Sequence, residues 1–101
     1  MSIEQHTSDD GKEVRIRVKG RFDFEQHQDF RAAYRDTAGT GVRYTVDLSQ
    51  TEYMDSSALG MLLLLREHAG GEFSDITVTG ASQGVRKVLD IANFGRLFRI
   101  Q

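Results

Sequence analysis

The segment with the most chemical potential is Asp47-Leu48-Ser49-Gln50-Thr51-Glu52-Tyr53-Met54-Asp55-Ser56-Ser57-Ala58-Leu59-Gly60. It puts two small hydroxyls, Ser56 and Ser57, just after a strand and in the first turn of a helix. Free backbone amides and the helix dipole at such a place favour anionic groups. A phosphoserine at Ser56 would bring about −1.5 to −2 units of charge to that helix start. Asp55 would stand beside it, and Asp23 as well if two strand ends converge. Those carboxylates would repel the phosphate, so the expectation is a changed surface on an unchanged fold. The same Asp-Ser-Ser order is also plain capping chemistry, and composition alone does not separate the two uses.

Other candidate chemistries have less behind them. His6, His27 and His68 lie on different elements without ligand spacing, so no metal site is expected. Cysteine is absent, which excludes disulfides, thiol catalysis and Cys-based metal centres. Asp47 has no paired acid and no phosphate-cradling glycine loop nearby, so it reads as a structural residue at a strand-to-helix junction. No Gly-x-Ser-x-Gly elbow surrounds Ser56, so it does not read as a hydrolase nucleophile. No cofactor is predicted, and the chain is expected not to be an enzyme. With 13 Lys plus Arg against 15 Asp plus Glu, the net charge is −2, and no nucleic-acid footprint is visible.

The elements that must position Ser56 follow from periodicity. Val14, Ile16 and Val18 alternate with Arg15, Arg17 and Lys19, the pattern of a strand with one buried face. Ile3 and Gln5 begin an earlier edge strand, joined through the Ser8-Asp9-Asp10-Gly11 turn. Asp23, with Gln26 three residues on, predicts a capping box and a helix whose inward stripe is Phe30, Ala33 and Tyr34. That helix is expected to end near Ala38-Gly39-Thr40-Gly41. Val42, Tyr44, Val46 and Leu48 predict a third strand. After a short polar segment, Asp55 starts a second helix reaching about residue 69. Ile76 and Val78 mark a fourth strand, and Ser82 caps a third helix carrying Val85, Val88, Leu89 and Ala92. Leu97, Phe98 and Ile100 close as a short extended segment. Strands alternating with helices imply a largely parallel sheet started by an antiparallel hairpin. The basic second face of the Val14 strand predicts helices mainly on one side, since a doubly covered sheet reads as continuous apolar runs. The Arg15/Arg17/Lys19 stripe is either a solvated strand face that discourages edge pairing or a contact for an acidic partner.

The 101 residues, 39% hydrophobic and 28% charged, predict one soluble domain spanning 1–101. Residues 1–6 lack the basic and apolar regions of a signal peptide. The longest apolar run, 58–65, is far below the roughly 20 residues that span a bilayer. A cytoplasmic location is therefore expected, with membrane contact only through a partner. At about 100° per residue, Ala58, Leu62, Leu65 and Ala69 share the core face of the second helix. Ser56, Gly60, Leu63, Leu64 and Glu67 fall on the opposite half. Apolar residues beside Ser56 predict a docking surface of Gly60, Leu63, Leu64 and Glu67, unless a neighbouring segment covers the two leucines.

Across essentially its whole length the chain resembles the STAS family, the domain of bacterial anti-sigma factor antagonists. Gly20-Arg21-Phe22-Asp23 resembles the family's signature before the first helix, and Val46-Asp47-Leu48-Ser49 that of its third strand. Asp55-Ser56-Ser57-Ala58-Leu59-Gly60 resembles its phosphorylation motif, and Val88-Leu89 with Leu97-Phe98-Arg99-Ile100 fits its C-terminal pattern. Ala58 departs from the glycine of many members and stiffens the first turn. The resemblance implies a STAS-like α/β domain with a mixed, mostly parallel sheet of four to five strands. It implies Ser56 as phosphoacceptor, Ser57 being the less favoured neighbour, in an environment of Asp23, Asp55 and Ser57. It also implies a phosphorylation-switched, non-catalytic binding module. The unmodified form would hold an anti-sigma factor or a serine kinase of the anti-sigma type, and the phosphorylated form would release it. A metal-dependent serine phosphatase would reset the switch, and monomer is the default state. Small STAS proteins also serve as accessory subunits of ABC-type lipid transporters, which is the alternative role.

Overall fold

The computed structural model describes residues 2–101. Its strands are β1 (Ile3–Thr7), β2 (Glu13–Val18), β3 (Gly20–Phe22), β4 (Arg43–Asp47), β5 (Thr51–Met54), β6 (Asp75–Thr79) and β7 (Arg99–Ile100). Three α-helices intervene: α1 (His27–Tyr34), α2 (Ser56–His68) and α3 (Gln83–Ile91). Five strands form one sheet in the order β1-β2-β4-β6-β7, and β3 pairs with β5 in a separate two-stranded ribbon. Only β1 and β2 are antiparallel; every other pair is parallel. Among the described residues, no helix is long and apolar enough to cross a membrane.

The register explains why helices cover one face. Ile16, Val46, Val78 and Ile100 lie side by side across four strands, and Val14, Tyr44 and Ile76 form the next row. Ile16, Tyr44, Val46 and Val78 are wholly buried, each contributing roughly 1.5–3 kcal/mol. The helices supply Phe30, Tyr34, Ala58, Leu62, Leu65, Val85 and Leu89 to the same core. The alternating residues make the other face: Arg15, Thr45, Thr77 and Arg99 in one row, Arg17, Asp47 and Thr79 in the next. Among the described residues that polar face has no helix on it, as the basic stripe of β2 predicted.

Five local expectations need correction. Asp23 caps only a short 3-10 turn, Phe24–Gln26, by accepting the Glu25 amide. Gln26 does not close a capping box, because its side-chain oxygen is taken by the Ser2 hydroxyl. The α1 helix ends at Tyr34, earlier than the glycines suggested, because the chain must turn to bring Gly39 against the end of α2. The segment before Asp55 is not merely polar: Thr51 and Met54 are buried and it forms β5. Leu97 and Phe98 close a helical turn instead of extending, and only Arg99–Ile100 reaches the sheet.

Candidate phosphorylation site and docking surface

The β3/β5 ribbon carries the site. Gly20 bends the chain out of β2 with φ +76°, a conformation that suits glycine. Its amide bonds the Gln50 carbonyl at 2.9 Å, and the buried Thr51 hydroxyl bonds the Val18 carbonyl at 2.8 Å. From there Arg21 pairs with Tyr53 and Phe22 with Met54. Phe22 and Met54 point into the core. Side chains alternate along a strand, so Arg21 and Tyr53 face outward. Asp23 and Asp55 follow in extended conformation, at φ −132° and −119°. The two strand ends therefore do converge, and Arg21, Asp23, Tyr53 and Asp55 share one outward face directly before Ser56. Arg21 Nε donates to Asp23 Oδ2 at 3.0 Å, and its guanidinium lies 4.1 Å over the Tyr53 ring.

Asp55 is the N-cap of α2. Its Oδ1 accepts the Ser57 amide at 3.0 Å and the Ser57 hydroxyl, and its carbonyl accepts the Ala58 amide at 3.1 Å. The Ser57 hydroxyl holds the Asp55 carboxyl below the usual carboxylate range. Partial burial opposes this, while the Ser57 and Ala58 amides and Arg21 reinforce it. The capping residue thus ties down Ser57, and Ser56 is the exposed hydroxyl of the pair. One expectation changes: the amides of Ser57 and Ala58 already have partners, so they are not free to receive an anion.

Along α2, Ala58, Leu62, Leu65 and Ala69 are buried as expected. Met61 joins them, missed although it stands three residues after Ala58 and four before Leu65. Ser56, Gly60, Leu63 and Glu67 line up along the outer surface, and all four are exposed. Around the position where a Cβ of Gly60 would stand there is open space. Among the described residues no segment covers the leucines: Leu63 is 40% exposed and Leu64 60%. Leu64, however, stands to one side of that line. It borders a shallow groove of about 330 Å³ shared with Arg31, Tyr34 and Arg35 of the α1 side and with His68.

The remaining candidates are accounted for by contacts. Asp47 is buried and accepts from Arg17 Nε at 3.1 Å, Arg15 at 3.3 Å and the Ser49 amide at 2.9 Å. Burial alone would raise its carboxyl, but hydrogen bonds from Ser49 and Arg17, with the charge of Arg17, outweigh this and hold it low. Its acceptor capacity is spent on structure. Arg17 and Lys19 also pair with Glu4, at 3.7 and 3.1 Å, so the basic stripe is largely neutralised by its own neighbours. His68 donates from Nε2 to the Thr37 carbonyl and packs on Tyr34; His27 stacks on Phe24; His6 is exposed on β1. Among the described residues, no three His, Cys, Asp or Glu side chains are grouped to hold a metal.

A family model described as "Mlab, STAS domain" matches residues 6–99. The chain belongs to the STAS family. This STAS domain is 56% identical, over 99% of each chain, to a STAS-domain containing protein of Pseudomonas aeruginosa (strain UCBPP-PA14). Its fold is similar to that of the anti-sigma factor antagonist SpoIIAA in unphosphorylated form, with a TM-score of 0.78 at 19% identity over 98% of this chain and 87% of that one. It is also similar to the Bacillus protein SpoIIAA in phosphorylated form, with a TM-score of 0.70 at 18% identity, covering 98% and 90%.

Proposed function

We propose that this STAS domain is an anti-sigma factor antagonist, a non-catalytic binding module in the cytoplasm switched by phosphorylation of Ser56. One observation supports the assignment most: an exposed serine at the start of α2, in line with an uncovered surface of Gly60, Leu63 and Glu67 and beside the exposed Leu64. In the unmodified form that surface docks an anti-sigma factor or a serine kinase of the anti-sigma type. A γ-phosphoryl group moves from ATP to Ser56 Oγ, the hydroxyl proton leaves, and ADP departs. The new charge, beside Asp23 and Asp55, makes the surface unfit for the partner without requiring α2 to unfold. A metal-dependent serine phosphatase hydrolyses the ester and restores binding.

The test uses the full chain, its cognate kinase and ATP. Intact mass should rise by about 80 Da. The gain should vanish in Ser56→Ala and persist in Ser57→Ala. A pull-down should retain the same partner on Ser56→Ala and lose it on Ser56→Asp. A modification that survives Ser56→Ala sinks the assignment.

A second reading is an accessory subunit of an ABC-type lipid transporter, which would use the same uncovered α2 surface with its exposed Leu63 and Leu64. In that case the α2 surface docks permanently and Ser56→Asp leaves the complex intact. Co-purification of an ATPase–permease assembly in place of an anti-sigma factor would select it.

A further inference from the structure

The phosphate proposed for Ser56 would arrive at a helix start whose Ser57 and Ala58 amides are already bonded to Asp55. It would also arrive beside two carboxylates. A cationic side chain can supply its countercharge, and the ribbon holds one. Arg21 shares the outward face with Asp23, Tyr53 and Asp55, and paired strands stand only about 5 Å apart. Its side chain is 63% exposed and held by one contact to Asp23 and by the Tyr53 ring. An exposed pair of this kind is weak. A phosphate dianion offers three strong acceptor oxygens, and arginine binds them through two parallel N–H bonds. The guanidinium already acts on Asp55, the residue before Ser56.

We propose that Arg21 is the intramolecular partner of phosphorylated Ser56, its guanidinium exchanging Asp23 and the Tyr53 ring for the phosphoryl oxygens. The proposal rests on Ser56 being the acceptor. It gives the switch a second component: the phosphorylated form loses the cation from above Tyr53, so an aromatic face is uncovered as the charge is added. Asp23 keeps its other bond, to the Glu25 amide at 3.1 Å, so the first turn after β3 stays in place.

The test is made on the full chain with phosphoserine incorporated at position 56 during synthesis, so that no kinase is needed. Phosphorus NMR follows the second ionisation of the phosphate, which lies near pH 6 without neighbours, about where it titrates in free phosphoserine. The wild-type midpoint should lie about half a pH unit or more below that of Arg21→Gln. Arg21→Lys should recover part of the difference, while Arg43→Gln, at the opposite end of β4, should leave the midpoint alone. The Arg21 Nε–H resonance should move downfield when Ser56 carries phosphate. Equal midpoints in wild type and Arg21→Gln, or an unmoved Nε–H, would overturn the proposal. Failure of every kinase to modify Ser56 would instead remove the proposed function and leave these measurements standing.

Discussion

Two uncovered faces of this molecule set arginine against aspartate, and they put the pair to different uses. On the open side of the main sheet, Asp47 lies under Arg15 and Arg17 with its side chain only 7% exposed. Both of its oxygens are bonded, and the Ser49 amide is one of the donors. On the ribbon, Asp23 and Asp55 are spent on capping the turns that follow them. Arg21 and Ser56 are left at the surface. The residue types are nearly the same. What separates architecture from available chemistry is whether every donor and acceptor has been used and whether water can reach the group.

The comparison can be broken at either face. The largest expected loss of stability is for Asp47→Ala, about 1–3 kcal/mol by urea unfolding. That is below the cost of breaking a fully buried pair because both arginines reach solvent. An equal loss for Asp23→Ala would erase the distinction between the faces. Acid should then remove part of the same stabilisation. The folded Asp47 carboxyl is held below its unfolded value, so the unfolded chain takes up the proton first. Stability is full above the unfolded value of about 3.9 and falls as the pH drops through the lower folded one. Urea midpoints between pH 2 and 6, a range chosen to bracket roughly these values, should decline at the acid end in wild type and less in Asp47→Ala. Arg15→Ala, removing a half-exposed partner, should cost about 0–1 kcal/mol. Leu64→Glu should change stability by no more than about 0.5 kcal/mol while abolishing partner retention in the pull-down. Unchanged retention would remove Leu64 from the docking surface.

The main sheet was legible because its strands are amphipathic over several residues. Val14, Ile16 and Val18 on one side, with Arg15 and Arg17 on the other, state both the period and the face. The ribbon was hidden. A strand of three residues has a single inward side chain, Phe22, and its partner has Thr51 and Met54 with Glu52 and Tyr53 between them, which is no repeat at all. For the same reason Arg21 and Tyr53 escaped notice, although Gly20-Arg21-Phe22-Asp23 was recognised as a motif. Asp55 and Ser82 were correct as helix caps because capping is local, one side chain meeting an amide a few residues on. The Asp23/Gln26 box failed because a distant residue, Ser2, competes for Gln26. Helical spacing sorted α2 into core and surface, but only the packing of α1 beside it divides the exposed half into the Ser56 line and the Leu64 groove.

Gly39 lets the loop after α1 lie directly against the end of α2. Its φ is +83°, and an added Cβ would run into the His68 carbonyl oxygen. His68 in turn reaches the Thr37 carbonyl at 3.0 Å. The far end of α2 is thereby pinned to the loop leaving α1, as the Ser56 end is held by the buried Met54 of β5 and the Asp55 cap. Between these two fixed ends Ala58, Met61, Leu62 and Leu65 are buried in the core. A charge added at Ser56 therefore rewrites the outer skin of a rod whose two ends are clamped.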